Sequence, residues 1–458
     1  MARRKQSKQE AMLAKVKDLE ALEQINLNAA GLDIGDNEIY VSVPKGRDKG
    51  SVRVFKTFTI DLYALADWLQ ACRVDTVAME STGVYWIPVY EILEARGFEV
   101  YLVNARHIKN VPGRKTDILD CQWIQQLHTY GLLRASFRPP DEIRALRALA
   151  RHRERLIQSC AREIQHMQKA MQQMNVKLTN VISDITGVTG MLIIRDIVAG
   201  ERDPKVLAHH RNPRCAKSEA EIAKSLQGHY KAEHVFALQQ ALEAYDFYQR
   251  QIKACDVKIE QCYQDLVSDD HADEPPLLAV KRNTHSKNAP NFDLRRYLYR
   301  WAGVDLVVID GLNALTVHQV LTETGVDMSP WRTEKHFCSW LSICPHNDKT
   351  GGKVIKSRTK KTQNRAAAAL RIAAQSLSRS KSALGAYYRR MRAKLGGPEA
   401  VTATAHKLAR IIYAMLKNQT EYFDPGESHY QEQTRQRAIK RLKRKAKDLG
   451  YQLVELAA

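Results

Sequence analysis

Ala30-Gly31-Leu32-Asp33-Ile34-Gly35-Asp36-Asn37-Glu38-Ile39-Tyr40-Val41-Ser42-Val43 is the stretch that decides the fold of the first part of the chain. Two β-rich runs, Ala30–Ile34 and Glu38–Val43, flank Gly35-Asp36-Asn37, whose residues suit a tight reversal. The runs are expected to pair as a hairpin, and Val52–Phe58 to complete a three-strand meander. Outward from there the pattern alternates: a helix over Asp61–Cys72, a strand over Thr76–Glu80, a helix over Tyr85–Arg96, a strand over Glu99–Val103 and a helix from Asp117 to Tyr130. Alternation of this kind describes an α/β sheet covered by helices.

Within this frame four acids stand out. Asp33 is embedded in a run that otherwise reads as a buried strand, where a carboxylate is costly unless something satisfies it. Glu80 ends the apolar strand Val77-Ala78-Met79-Glu80, and strand ends are where such sheets place their sites. Asp117 and Asp120, three apart, share one face of a helix that begins there. Each has a structural reading of its own: Asp33 shaping the hairpin, Glu80 pairing with an arginine, Asp117 capping a helix. Taken together, four converging carboxylates repel one another, and divalent cations are the usual remedy. Two such ions about 3.5–4 Å apart clamp the attacking and leaving oxygens of a phosphodiester.

The joint order, an acid on the first strand, an acid on a later central strand and acid-x-x-acid on a following helix, resembles the ribonuclease-H-like fold of Holliday-junction resolvases. The stretches Gly31-Leu32-Asp33-Ile34-Gly35, Met79-Glu80-Ser81-Thr82-Gly83-Val84-Tyr85-Trp86 and Lys115-Thr116-Asp117-Ile118-Leu119-Asp120-Cys121 are similar to the DEDD transposases of the IS110 family of bacterial insertion sequences. Ile309-Asp310-Gly311-Leu312, Leu315–Gly325, Phe337–Pro345 and Gly351-Gly352-Lys353 resemble that family's second transposase domain. The resemblance implies a recombinase with a RuvC-like N-terminal domain whose acids, here Asp33, Glu80, Asp117 and Asp120, bind Mg²⁺ or Mn²⁺. It also implies a C-terminal serine nucleophile that attaches covalently to DNA. That position falls on Thr350, a departure from the commoner Ser-Gly-Gly, with Ser342 and Ser357 as neighbouring hydroxyls and a simple turn-opening role for Thr350 as the alternative. Further implied are donor and target DNA, a structured non-coding bridge RNA that pairs with both, and a homo-oligomeric synapse, from dimer to tetramer.

The rest of the chain divides by pattern. A basic helical leader is expected over 1–28, the catalytic domain over 29–140, and long coiled-coil-like helices over 141–268, with Glu142–Lys177 and Ser218–Val267 as the longest stretches. An exposed linker follows over 269–291, then a mostly α C-terminal domain over 292–425 with a Gly-rich turn at Thr350-Gly351-Gly352, and a basic helix over 426–458. From Thr350 to Gly397 there are thirteen Lys or Arg residues and no Asp or Glu. Ordinary surfaces intersperse both signs, so this stretch is expected to meet phosphate backbones, with Lys353, Lys356, Arg358, Lys360, Lys361 and Arg365 as contacts, joined by Lys115 beside the paired aspartates. Arg435–Lys447 is a second basic cluster.

The bulk properties agree. The 458 residues leave room for two or three domains, and a formal charge of +20 favours a polyanionic partner. Eight cysteines without a CxxC pair or zinc spacing read as reduced thiols. The sequence contains no apolar run of membrane-spanning length and no signal peptide, which points to the cytoplasm, at the nucleoid. Three other readings remain: a junction resolvase cutting by hydrolysis, an actin- or sugar-kinase-like ATPase suggested by Leu32-Asp33-Ile34-Gly35, and a catalytically silent nucleic-acid-binding protein.

Overall fold

The computed structural model describes residues 23–81, 83–104, 117–267, 277–279, 286–360 and 364–454; the side chains of residues 117, 346, 349 and 356 also lie outside the description. The chain forms two units, Met1–Arg138 and Pro139–Ala458.

The first unit is a five-stranded sheet in the order β3-β2-β1-β4-β5. Strands β1 (Ala29–Ile34), β2 (Glu38–Ser42) and β3 (Val52–Lys56) form the expected antiparallel meander, and β4 (Thr76–Glu80) and β5 (Glu99–Val103) join in parallel. Parallel strands need crossovers, supplied by helices α1 (Thr59–Ala71) and α2 (Trp86–Ala95). Both pack on one face, over Leu32, Ile39, Val41, Val77, Met79 and Leu102. The other face is covered by α3 (Asp117–Thr129), where Ala78 and Val103 meet Ile124 and Leu127. This arrangement is consistent with a RuvC-like domain.

Two expectations need correction here. The third strand stops at Lys56 rather than reaching Phe58, because Phe58 is the extended N-cap of α1. Nor does the leader stay helical to Asn28. The backbone N–H groups of Ile25 and Asn26 both donate to the carbonyl of Thr129, each at 2.9 Å, and the Asn26 amide donates to the carbonyl of His128. Residues 23–28 are thus held open to cap the last carbonyls of α3.

The second unit opens on α4 (Asp141–Gln173, 33 residues), followed by α5 (Val188–Ala199), α6 (Pro204–Ala208), α7 (Glu219–Ser225) and α8 (Ala232–Leu266, 35 residues). At 1.5 Å per residue α4 and α8 are each about 50 Å long, and they pack against each other. Where they meet, Arg153 of α4 and Asp256 of α8 form a buried ion pair. The short helices close one end of the pair over an apolar core of Met171, Met174, Ile193, Ile197 and Leu238. The stretch from Ser218 is not one helix: Ser218 and Glu221 form a capping box on α7, and the chain breaks at Gly228, where an added Cβ would fall 2.5 Å from the Met174 carbonyl oxygen. Of the expected exposed linker, the described part is partly tied down, since Lys287 pairs with Asp184.

Helices α9 (Leu294–Ala302), α10 (Ala314–Thr324) and α11 (Glu334–Trp340) lead into the hairpin β6 (Pro345–Thr350) and β7 (Lys353–Thr359). Helices α12 (Arg365–Ser376), α13 (Ala383–Leu395), α14 (Gly397–Asn418) and α15 (Gly426–Asp448) complete the unit. The expected Gly-rich turn is present, and the structure adds the two strands that flank it. Gly351 and Gly352 both have positive φ, 54° and 77°, so they form the two-residue reversal that only glycine-like residues support at both positions. Among the described residues no helix is long and apolar enough to cross a membrane.

Candidate functional site at the acidic edge and the basic hairpin

The placement of α3 sets the geometry of the first site. At the starts of the strands, His128 Nε2 lies 2.8 Å from Thr76 Oγ1. Midway, Gly31 lies so close beneath the helix that a Cβ would fall 2.2 Å from the Gln125 nitrogen and 2.4 Å from the Cys121 carbonyl oxygen. The helix therefore runs antiparallel to β1 and β4. From His128 back to Asp120 it climbs about 12 Å at 1.5 Å per residue, and from Thr76 to Glu80 the strand climbs about 13 Å. Asp120 comes level with Glu80.

Asp33 reaches the same edge. β1 and β4 pair in parallel up to Leu32 against Met79, so Asp33 and Glu80 are the next residues on adjacent strands, whose backbones run about 4.8 Å apart. Side chains alternate along a strand. Asp33 shares the face of Gly31, and Glu80 shares the face of Thr76 and Ala78, which is the face that α3 covers. All three carboxylates are half-buried. The buried Cys121 thiol feels two of them: burial first, then the charge of Asp33, with a smaller contribution from Asp120, push its pKa up to about 12. It stays protonated at neutral pH, and no thiolate competes with the carboxylates.

Asp117 opens α3, one helical turn before Asp120; its side chain lies outside the described residues. Among the described residues no group of three His, Cys, Asp or Glu side chains is close enough to hold a metal ion. The donors gathered at this edge are carboxylate oxygens on two strand ends and one helix. In type they fit a hard divalent cation such as Mg²⁺ or Mn²⁺ and do not fit zinc.

The other end of α3 is fixed by a neutral histidine. Thr76 Oγ1 donates to the Glu99 carbonyl at 3.0 Å, so it accepts from His128 Nε2–H. Burial lowers the His128 pKa to about 4 and Tyr101 packs on the ring, 4.6 Å between centroids.

The second site is the hairpin. Thr350 is exposed at the end of β6, immediately before the two left-handed glycines and opposite Lys353. Lys353, Arg358 and Lys360 are exposed, as are Val354 and Ile355 at 50% and 71%. A two-stranded hairpin on its own is marginal in water. Ser357 is also exposed on β7, whereas Ser342 occupies a left-handed turn after α11, φ 57°. Arg365 is ion-paired with Glu154 on α4, which leaves it less charge to offer a phosphate than its neighbours. Asn364 accepts from the Ala367 N–H and caps α12. Lys115 and Lys361 lie outside the described residues, as does the side chain of Lys356.

Two family models match the chain, one over each of these regions. A transposase model of the DEDD IS110 type matches residues 30–176, and one described as the transposase IS116/IS110/IS902 family matches residues 305–389. Together they span just over half of the chain. The chain belongs to the IS110 family of transposases. It is thus a DNA transposase. In this transposase the acidic edge lies within the first matched segment and the Thr350 hairpin within the second. No curated protein matches the chain.

The kinase-like alternative loses its second phosphate loop. Ile309 and Leu312 are buried, and a Cβ on Gly311 would sit 2.9 Å from the Ala373 carbonyl oxygen, so Asp310-Gly311-Leu312 makes a packed turn rather than an open cradle. Sequence reasoning missed the hairpin and the Thr76–His128 anchor. Only Gly351-Gly352 signalled the former, and nothing in the local pattern signalled the latter.

Proposed function

We propose that this transposase cleaves and exchanges DNA strands by metal-dependent transesterification, with Asp33, Glu80, Asp117 and Asp120 holding Mg²⁺ or Mn²⁺ and the Thr350 hydroxyl as nucleophile. The reading is supported by the placement of Asp33 and Glu80 at the ends of two adjacent parallel strands, with an antiparallel helix that brings Asp120 level with the same edge. A bound divalent cation supplies charge neutralisation for the carboxylates and Lewis acidity at a phosphate oxygen. Asp33 and Glu80 would hold the cation from the sheet, and Asp117 and Asp120 would hold it from the first turn of α3.

Thr350 supplies an oxygen without competing backbone bulk, because the two residues after it are glycines. Its oxygen forms a phosphoester with the scissile phosphorus as the bond to the leaving strand oxygen breaks, so one phosphodiester is exchanged for another with no external oxidant or water. Lys353, Arg358 and Lys360 hold the backbone beside it, with Lys356 and Lys361 in the same basic run of sequence, while Lys115 offers a further phosphate contact next to the paired aspartates. A hydroxyl exposed on a marginal hairpin is a weak nucleophile until the strand orders it, so chemistry waits on assembly of a homo-oligomer on DNA. Delegating sequence choice to a paired RNA suits a basic chain without a base-reading finger or helix-turn-helix.

The test is to trap the reaction on the element's own DNA ends and map the protein–DNA linkage by peptide mass. The expected linkage is at Thr350, lost in Thr350→Ala and regained in Thr350→Ser. Asp33→Asn and Glu80→Gln should abolish it while DNA binding persists. A clean hydrolytic product with no linkage would instead identify a junction resolvase.

A further inference from the structure

A second concentration of positive charge lies in the C-terminal unit, away from the hairpin in sequence. Helix α14 carries Lys407, Arg410 and Lys417 on one side, spaced three and seven residues apart, with Ala414 between the last two. Together with Arg332 and Glu334 from the start of α11, they line an open trough of 640 Å³. Glu334 pairs with Arg410 at 3.4 Å, and Lys417 Nζ donates to the Arg332 carbonyl and to the Tyr413 hydroxyl, which leaves its charge unopposed by either partner. Arg332, Arg410 and Lys417 are exposed.

Lys407 shows how strongly positive this place is. Its ammonium lies 4.4 Å from the Tyr387 ring centroid and 5.3 Å from that of Tyr430. Burial lowers its pKa, followed by repulsion from Arg437 of α15 and from Arg410, against a smaller opposing effect of Asp424. Four cations face one lining carboxylate, and a fifth approaches from α15, a helix that buries no side chain. Such an arrangement is held at a cost in repulsion that an anion removes.

The length of the array decides the kind of anion. From Lys407 to Lys417 the helix rises about 15 Å, which is about four nucleotides of one strand at 3.4 Å each. A single phosphate group would reach one or two of these cations, whereas a polymer of phosphates reaches all of them. We propose that the trough formed by Arg332, Lys407, Arg410 and Lys417 seats one sugar-phosphate strand of a nucleic acid, as a site separate from the Thr350 hairpin. The proposal rests on the reading of the chain as a transposase that binds nucleic acid and adds a second anchoring surface to it.

The experiment uses the full chain and three probes of one mixed sequence: single-stranded RNA, single-stranded DNA and duplex DNA, each titrated from 50 to 300 mM salt. The variant Arg332→Gln/Arg410→Gln/Lys417→Gln changes exposed side chains and should melt like the parent. Its binding should weaken ~100-fold at 0.1 M salt, and its log–log salt slope should fall by about 2, as expected for three lost phosphate contacts. Loss on the RNA probe names RNA as the occupant; loss on a DNA probe names DNA. The hairpin variant Lys353→Gln/Arg358→Gln should weaken binding independently, and the two effects should multiply. Photo-crosslinks should fall on peptides covering 332–336 or 407–418. If the parent binds all probes and the trough variant matches it in affinity and slope, the trough proposal is overturned alone. If the parent binds none, the nucleic-acid reading falls with it.

Discussion

Gly31→Ala puts the seating of α3 to a quantitative test. The new methyl carbon would lie 2.2 Å from the Gln125 nitrogen and 2.4 Å from the Cys121 carbonyl oxygen, both backbone atoms that cannot rotate away. Ordinary contact begins at 3.4 Å, so the helix must retreat by about 1.2 Å, the difference between the two distances. Overpacking of this kind costs about 1–3 kcal/mol, or a fall of roughly 4–12 °C in the melting of the first unit. The same retreat carries Asp120 away from Asp33 and Glu80, and a misplacement of about 1 Å at a reacting centre costs on the order of 100-fold in rate. Thermal melts and strand cleavage on element-end DNA would be measured beside Gly50→Ala, whose added carbon meets nothing nearer than 3.7 Å. A Gly31→Ala protein with the parent's melting temperature and cleavage rate would refute the antiparallel seating of α3 and the acidic edge built on it.

Two further outcomes follow from buried groups. Arg153→Met strands the Asp256 carboxylate between α4 and α8, where only 5% of that residue is exposed, and should cost about 3–5 kcal/mol of stability; adding Asp256→Leu should recover most of it, as read by denaturant melts. His128 in the first unit and His318 in the second are both buried and held neutral with pKa values lowered to about 4 from 6.5. Unfolded chains take up a proton at each as pH falls below 6.5 while the folded units do not, so stability present above that value is lost as pH falls towards 4, by about 1.4 kcal/mol per histidine at pH 5.5. Melts of His128→Gln and His318→Gln between pH 7.5 and 5 should each show a flatter pH dependence, and an unchanged slope would contradict the neutral assignment.

The first unit was legible because its residues repeat a simple alternation. Ala30–Ile34 and Thr76–Glu80 are short apolar runs bounded by turn residues, and both became strands within a residue of expectation. Their acids could be singled out because each interrupts or ends such a run. Direction was not legible: that Asp120 rather than His128 meets the strand ends depends on Gly31 beneath the helix and on Thr76 at its far end. The β6–β7 hairpin escaped notice because the described side chains of β6, Pro345, Asn347, Asp348 and Thr350, are all exposed and the run shows no apolar period of two. The trough was invisible for another reason, since Arg332 and Lys417 meet across a separation of 85 residues. The stretch richest in unopposed charge along the chain, Thr350–Gly397, contains none of the trough's four cations, and Arg365, inside that stretch, is already committed to Glu154.

The orientation of α3 also acts through its peptide groups. Because the helix begins at the carboxylates and ends at the strand starts, the positive pole of its aligned dipoles faces the acidic edge. The backbone itself thus screens part of the repulsion that the acids impose on one another. Reversing the helix would have turned carbonyl oxygens toward the same carboxylates and added to their repulsion.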